Sequence, residues 1–304
     1  MSQSTPYRGR FAPSPTGPLH FGSLVAALGS CLEARVRGGE WLVRMEDVDE
    51  PRCSSGAAAG ILRTLERMGF EWDGEVMVQS RRKARYAELL DALGGKGLAY
   101  PCACTRRELA DSALAADGAP LYPGTCRNGL PTGRSPRAWR LRVDAAEIAF
   151  EDEVQGERSQ RLATEVGDFV LRRADGFFAY QLAVVADDAD QGVTHVVRGA
   201  DLLDSTPRQI CLQACLGLPR PTYAHLPVVV DAAGEKLSKQ TRALPVDGDD
   251  DSATLLAALR FLGQEPPAGL AGVRAIWDWA HEHWRLDRVP RARVLPFPGL
   301  PVNR

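Results

Sequence analysis

The sequence contains no run of about 18 consecutive apolar residues, so nothing in it reads as a membrane-spanning helix. Its opening, MSQSTPYRGR, lacks the apolar core of a signal peptide, and a cytoplasmic location is expected. Two familiar glycine-rich phosphate loops are missing: there is no G-x-x-x-x-G-K-[ST] and no G-x-G-x-x-G. Net charge is nearly absent at -2, so any nucleic acid must be met by local basic patches rather than a global field. Arg81, Arg82, Lys83 and Arg85 form one candidate patch, and Arg134, Arg137, Arg140 and Arg142 another, with solvated faces as the alternative reading of each. Cysteine is sparse: seven residues without disulfide-like regularity argue against a disulfide framework. What remains is ordinary globular composition, 44% hydrophobic and 25% charged over 304 residues. That length holds a catalytic domain of roughly 250 residues and little more.

The chain is organised around Arg10 to Ser23, RFAPSPTGPLHFGS. Pro13, Pro15 and Pro18 lack a backbone N–H and push the residues before them out of helical geometry, so the chain runs as a stiff loop as far as His20. Leu24, Leu28 and Leu32 then recur at helical spacing. A strand, a rigid loop and a helix in that order aim free N–H groups and the helix dipole at the loop, a geometry that suits a triphosphate, although an ordinary strand-to-helix turn has the same pattern.

Residues 40–49 predict a second strand with Glu46 at its carboxyl end, where ligands of parallel sheets collect and where a carboxylate can receive an ammonium group. Asp47 and Asp49 read as helix-capping carboxylates, and Ser54 or Ser55 as the cap of a helix through Ile61 and Leu65. A further helix is expected over 81–93. A β-hairpin is expected around Ala174-Asp175-Gly176, followed by an apolar run from Tyr180 to Val185 read as strand, and a strand over 194–199. Arg198, at the end of that strand, is the candidate clamp for a substrate carboxylate, and a structural ion pair with Asp201 is its alternative. Ser205 or Thr206 is expected to cap the next helix, on which Cys211 and Cys215 serve packing. The loop Lys236-Leu237-Ser238-Lys239-Gln240 places two lysines where they can meet the charge of departing pyrophosphate. Between the halves, Cys102, Cys104 and Cys126 cluster closely enough to hold zinc, with no histidine nearby to complete the site.

PSPTGPLHFGS resembles the first signature of class I aminoacyl-tRNA synthetases, in the form used by the glutamyl and glutaminyl enzymes, and KLSKQ resembles their KMSKS signature. RMEDVD lies between the two, and together they form a specific match. The C-x-C, Y-x-x-x-C insertion, with only about 65 residues after Lys239, is similar to the short glutamyl-queuosine tRNA(Asp) synthetases. The resemblance implies an α/β fold: a Rossmann-like doubly wound parallel sheet with a zinc-containing insertion and a short helical C-terminal extension. It implies residues 1–98 and 139–245 as the halves of the catalytic domain, 99–138 as the insertion in the acceptor-binding region, and 246–304 as an extension without an anticodon-binding domain. It further implies Arg10, Ala12, Ser14, Glu46, Tyr180 and Arg198 for glutamate; His20, Gly22, Ser23, Lys236 and Lys239 for ATP; and Tyr122 as the fourth zinc ligand. His20 and Lys239 are the implied catalytic residues.

ATP with Mg²⁺, L-glutamate and queuosine-containing tRNA(Asp) are the implied cofactors and partners, and a monomer is expected. Ser23 replaces the second histidine of the first signature, and Leu237 and Gln240 depart from KMSKS, which leaves more of the work to His20 and Lys239. A short glutamyl-tRNA synthetase charging a 3′ end, an inactive RNA-binding relative, and an adenylating enzyme with another carrier are the alternatives.

Overall fold

The computed structural model describes residues 6–110, 121–231 and 250–297, with single positions 112, 114, 118, 234 and 246. β1 (Arg8–Phe11) enters the proline loop, and α1 (Phe21–Val36) leaves it. β2 (Glu40–Met45) returns parallel to β1; after α2 (Ala57–Arg67), β3 (Met77–Val78) lies parallel to β2, and α3 (Lys83–Gly95) follows. Gly56, with φ +78°, precedes α2 without a side-chain cap. The expected serine cap is corrected: Ser54 Oγ instead donates to Thr16 O at 3.2 Å and ties this turn to the proline loop. Asp47 accepts from the backbone and hydroxyl of Ser80, in a turn far along the chain, and Asp49 pairs with Arg52 and Arg173.

β4 (Ala99–Cys102) and β5 (Ala138–Leu141) pair antiparallel. β6 (Glu147–Asp152) and β7 (Gly156–Arg161) form a hairpin, and a single turn, α4 (Leu162–Glu165), leads to β8 (Val170–Arg172), which adds antiparallel to β5. The turn at Ala174 to Gly176 is present, but its second arm is reduced to one bridge, Arg172 to Phe178. From Tyr180 the expected strand is corrected to a helix, α5 (Tyr180–Asp190). Leu182 to Asp188 are buried without a break, so this helix has no solvated face over that stretch and shows no 3.6-residue alternation.

β9 (His195–Gly199), α6 (Thr206–Leu216) and β10 (Thr222–Leu226) complete a second unit, with β10 parallel to β9 and to β6. Ser205 precedes α6 without a side-chain hydrogen bond, so the expected hydroxyl cap is absent there too. Thr194 N donates to Arg8 O at 2.9 Å and Arg8 N to Thr194 Oγ1 at 2.8 Å, which sets β9 beside β1. The parallel strands therefore run β3, β2, β1, β9, β10, β6, and the order reverses between β1 and β9, as in a doubly wound fold.

β11 (Val228–Val230) follows at once; after α7 (Asp251–Phe261) and α8 (Val273–His283), β12 (Val294–Pro296) pairs parallel with β11 in a separate two-stranded sheet. Asp250 caps α7 through Ala253 N. Trp277 Nε1 donates to Met68 O at 2.9 Å and Trp284 Nε1 to Glu33 Oε2 at 2.8 Å, so both indoles are core residues with satisfied donors. Leu24, Leu28 and Leu32 join Leu255, Leu259 and Ile276 in one core. Gly29 permits the close seat of α1 on β10: a Cβ there would lie 2.6 Å from Leu226 Cδ1. No helix among the described residues is long and apolar enough to cross a membrane.

Candidate active site

A cavity of about 600 Å³ opens at the carboxyl ends of β1 and β9, where the strand order reverses. At such a point the crossovers diverge to opposite sides and leave a crevice for ligand. Its wall brings together Arg10, Ala12, Ser14, His20, Gly22, Ser23, Glu46, Tyr180 and Arg198. These are all the residues nominated for glutamate or ATP except Lys236 and Lys239, which lie outside the described residues with Leu237 and Gln240.

One side of the cavity is built on a buried charge cluster. Arg44 is fully buried; its Nη2 donates to Asp188 Oδ1 at 2.7 Å and to Glu46 Oε1 at 3.2 Å, and its Nη1 to Gln191 Oε1 at 2.7 Å. Arg10 meets the same Asp188 at 3.2 and 3.4 Å. Burial opposes ionisation of Asp188, but Arg10 and Arg44 outweigh it and hold the carboxyl below its ordinary range. Glu46 goes the other way, raised by burial against the pull of Arg44 and Arg10. Two guanidinium groups thus face two carboxylates, and Glu46 is the carboxylate on the cavity wall, placed to accept an ammonium group. Arg44 and Asp188 were not nominated from the sequence. Their signal is an arginine two residues before Glu46 in an apolar strand and an aspartate inside the acidic run after Val185.

Across the cavity, Arg198 is held on most of its donors. Nε donates to His225 Nε2 at 3.0 Å, Nη2 to Thr206 Oγ1 at 2.8 Å and to Leu202 O at 3.5 Å, and Nη1 to Tyr180 Oη at 3.3 Å. Guanidinium has five N–H bonds. Among the described residues, four are engaged, so a carboxylate in the cavity meets one Nη1 proton rather than the full fork expected from sequence. Burial raises Tyr180 above the ordinary phenol range, Arg198 opposing, and the protonated hydroxyl supplies a second donor beside it. Arg198 and Tyr180 together thus present two donors that a carboxylate could accept from.

His20 ends the proline loop and caps α1: Ser23 N donates to its Nδ1 at 3.2 Å, and its Nε2 lies 3.0 Å from Ser23 Oγ. With Nδ1 accepting, the proton sits on Nε2 and points at the serine hydroxyl. Ser23, the departure from the family pattern, therefore holds the histidine it follows.

The nominated metal residues also converge. Cys102, Cys104 and Cys126 have sulfurs within 4.8 Å of one another, Cys104 and Cys126 at 3.8 Å, and Tyr122 Oη lies 3.4 Å from Cys102 Sγ and 3.8 Å from Cys104 Sγ. A tetrahedral zinc with Zn–S of about 2.3 Å has sulfurs about 3.8 Å apart, so the thiols fit such an ion with small adjustments. Arg140 lies 3.8 Å over the Tyr122 ring and donates to Cys102 Sγ at 3.4 Å. Burial works against the Cys102 thiolate, but the Tyr122 and Arg140 bonds outweigh it and lower its pKa. Burial holds the Tyr122 phenol above its ordinary range, so it ligates only where a cation displaces its proton.

The basic patches resolve differently from expectation. Arg82 and Arg85 pair with Asp190, Arg82 also with Asp187, and Lys83 with Glu50, so three of the four cations of the first patch are ion-paired and Arg81 is exposed. In the second, Arg134 pairs with Glu108, Arg140 faces the cysteines, and Arg142 donates to Arg127 O. A second cavity, of about 1060 Å³, shares Arg52 and Tyr180 with the first and is lined by Arg106, Arg107, Arg137, Arg140, Arg173 and Cys104. Arg52, Arg106, Arg107 and Arg173 escaped the sequence reading because they are scattered along the chain.

A family profile described as tRNA synthetases class I (E and Q), catalytic domain, matches residues 7–274. The chain belongs to that family. A glutamyl-Q tRNA(Asp) synthetase of Dechloromonas aromatica (strain RCB) is 65% identical over 300 residues, 97% of this chain and 100% of the relative. One from Aromatoleum aromaticum is 62% identical over 97% of this chain and 94% of its own length. Among solved structures, a glutamate-tRNA synthetase from Elizabethkingia anophelis superposes with a TM-score of 0.80 at 25% identity, covering 96% of this chain and 68% of that one. The family fold is the doubly wound sheet described above, and this member places residues of its first signature, with Glu46, around one cavity.

Proposed function

We propose that the protein activates L-glutamate with ATP and transfers it to queuosine in the anticodon of tRNA(Asp), the activity for which its close relatives are named. The observation that carries the amino-acid assignment is the opposition of Glu46 to the Arg198–Tyr180 pair across one cavity. An ammonium group at one end and a side-chain carboxylate at the other describe an acidic amino acid. The free α-carboxylate attacks the α-phosphorus of ATP; a carboxyl O–P bond forms, the α–β bridge breaks, and pyrophosphate leaves. Holding both substrates at one point removes most of the entropic barrier. His20, Gly22 and Ser23 at the start of α1, with Lys236 and Lys239, take the phosphates, which Mg²⁺ accompanies. In the second step a hydroxyl of the cyclopentene ring of queuosine attacks the adenylate carbonyl and AMP departs.

In the same reading, residues 1–98 and 139–245 are the halves of the catalytic domain, 246–304 an extension, and 99–138 an insertion whose Cys102, Cys104, Tyr122 and Cys126 hold one structural Zn²⁺. The RNA approaches through the second cavity, whose arginines offer phosphate contacts up to Tyr180.

The test is glutamate-dependent ATP–pyrophosphate exchange without RNA, followed by labelled glutamate transfer to tRNA(Asp) with and without queuosine. Exchange with queuosine-dependent labelling is the expected result. Labelling of tRNA(Glu) would replace this reading by 3′-end charging, and no exchange would leave an RNA-binding relative.

A further inference from the structure

Behind Arg198 lies a polar chain that the proposed chemistry does not use. Arg198 Nε donates to His225 Nε2 at 3.0 Å; His225 Nδ1 lies 2.5 Å from Asp152 Oδ2, and both His225 and Asp152 side chains are fully buried. Asp152 is fixed from its other oxygen, since Oδ1 accepts from the backbone of Val154, Gln155 and His225 at 3.1, 2.8 and 3.0 Å. Oδ2 is thereby turned to the imidazole alone among the described residues.

A neutral imidazole has one donor and one acceptor nitrogen. A carboxylate at Nδ1 requires the proton there, which leaves Nε2 as the acceptor that Arg198 needs. We propose that Asp152 and His225 are positioning residues for glutamate binding: Asp152 sets the Nδ1–H tautomer of His225, and that tautomer fixes Arg198 so that its last free N–H points, with the Tyr180 hydroxyl, at the substrate carboxylate. The inference rests on the glutamate reading of the cavity.

The groups facing the His225 ring agree with a neutral ring. Asp152 from β6, Arg198 from β9, Thr206 from α6 at 3.2 Å and the stacked Tyr223 ring surround it, and the charge of Asp201 reaches it from the turn after β9. Burial, reinforced by Arg198 and opposed by Asp152, pushes the imidazole down to about 4, so it stays neutral across the working pH range.

D152N tests the relay. The three backbone donors keep the amide oxygen of the new side chain where Oδ1 was, so its NH₂ faces His225 Nδ1. The ring must then carry its proton on Nε2, where it opposes the Arg198 Nε–H, an inversion like that of the tautomer-setting carboxylate in serine proteases. The expected outcome, in full-length protein, is a shift of the His225 signal in ¹H–¹⁵N spectra of histidine-labelled protein from the Nδ1–H to the Nε2–H pattern. It is joined by a rise of tenfold or more in KM for glutamate in ATP–pyrophosphate exchange, with KM for ATP within twofold. H225N keeps a donor toward Asp152 but leaves Arg198 without an acceptor; H225Q can return an oxygen to Arg198. H225Q should therefore bind glutamate better than H225N, and this pair decides if D152N fails to fold. An unchanged glutamate KM in D152N, equal losses for glutamate and ATP, or indistinguishable H225N and H225Q would overturn the proposal. A wild type without glutamate-dependent exchange would instead overturn the glutamate reading, and this inference with it.

Discussion

Arg44, wholly shielded from water behind the cavity wall, and Glu46, two residues on and part of that wall, are joined by a 3.2 Å hydrogen bond. A buried charge is tolerated when its partners satisfy it, and deleting one partner leaves the others uncompensated, at a cost of about 3–5 kcal/mol. R44M should lose stability on that scale in denaturant titration. R44K keeps the charge but cannot reach Gln191, Asp188 and Glu46 together, and should raise KM for glutamate at least tenfold. The acid response adds a sign. Asp188 has a depressed folded pKa, so its stabilisation is present above its unfolded value of about 3.9 and is lost as pH falls through the folded one. Removing Arg44 raises that folded pKa toward the unfolded one, so the acid loss associated with Asp188 should keep its onset but be smaller and end at a higher pH in R44M than in wild type. A normal glutamate KM in R44K would show that Glu46 needs no such support.

His20 has two separable duties. As the cap of α1 it contributes about 1 kcal/mol, and as a cavity residue it faces the nucleotide in the proposed reading. H20N can still accept the Ser23 N–H through its amide oxygen, so its thermal unfolding should stay close to wild type while exchange falls at least a hundredfold. H20A should lose both. If H20N exchanges pyrophosphate normally, the histidine is a cap alone.

The legible part of the site is local in sequence. Three prolines and the Leu24, Leu28, Leu32 spacing announce the loop and α1, and the C-x-C, Y-x-x-x-C spacing announces a thiol cluster because those residues are carried by two short segments, the end of β4 and the turn around Cys126. The first misreading came from burial: Tyr180 to Val185 looks like strand because α5 has so little polar face. What stayed hidden depends on long-range packing. Asp188 reaches Arg10 and Arg44 because the α5–β9 unit adjoins β1, and Asp152 reaches His225 because β6 adjoins β10; no local periodicity records either neighbour.

The cysteine cluster should carry metal. Protein prepared without chelator is expected to contain one zinc per chain by elemental analysis, C102S and C126S to lose most of it, and Y122F to retain zinc with weaker affinity, since three thiols remain. Arg140 spans Cys102, the Tyr122 ring and Asp168 O, so zinc loss should unfold the β4–β5 region first, visible as faster amide exchange near Cys102 and Ala138. Wild-type protein free of zinc, with the same exchange pattern, would reduce the cluster to packed thiols.

Arg106 and Arg107 are exposed residues on the second cavity and touch none of the groups around Glu46 or Arg198, so the two half-reactions should separate there. The double substitution R106A/R107A should leave glutamate-dependent pyrophosphate exchange within twofold of wild type while raising KM for queuosine-containing tRNA(Asp) about tenfold. Each lost phosphate contact also lowers the steepness of salt dependence by about 0.7–0.9 in the log–log slope, so the double variant should flatten it by roughly 1.4–1.8. Salt dependence is the deciding measurement, because a general loosening of the insertion would raise KM without flattening the slope. A variant with reduced transfer and an unchanged slope would place the RNA elsewhere on the protein.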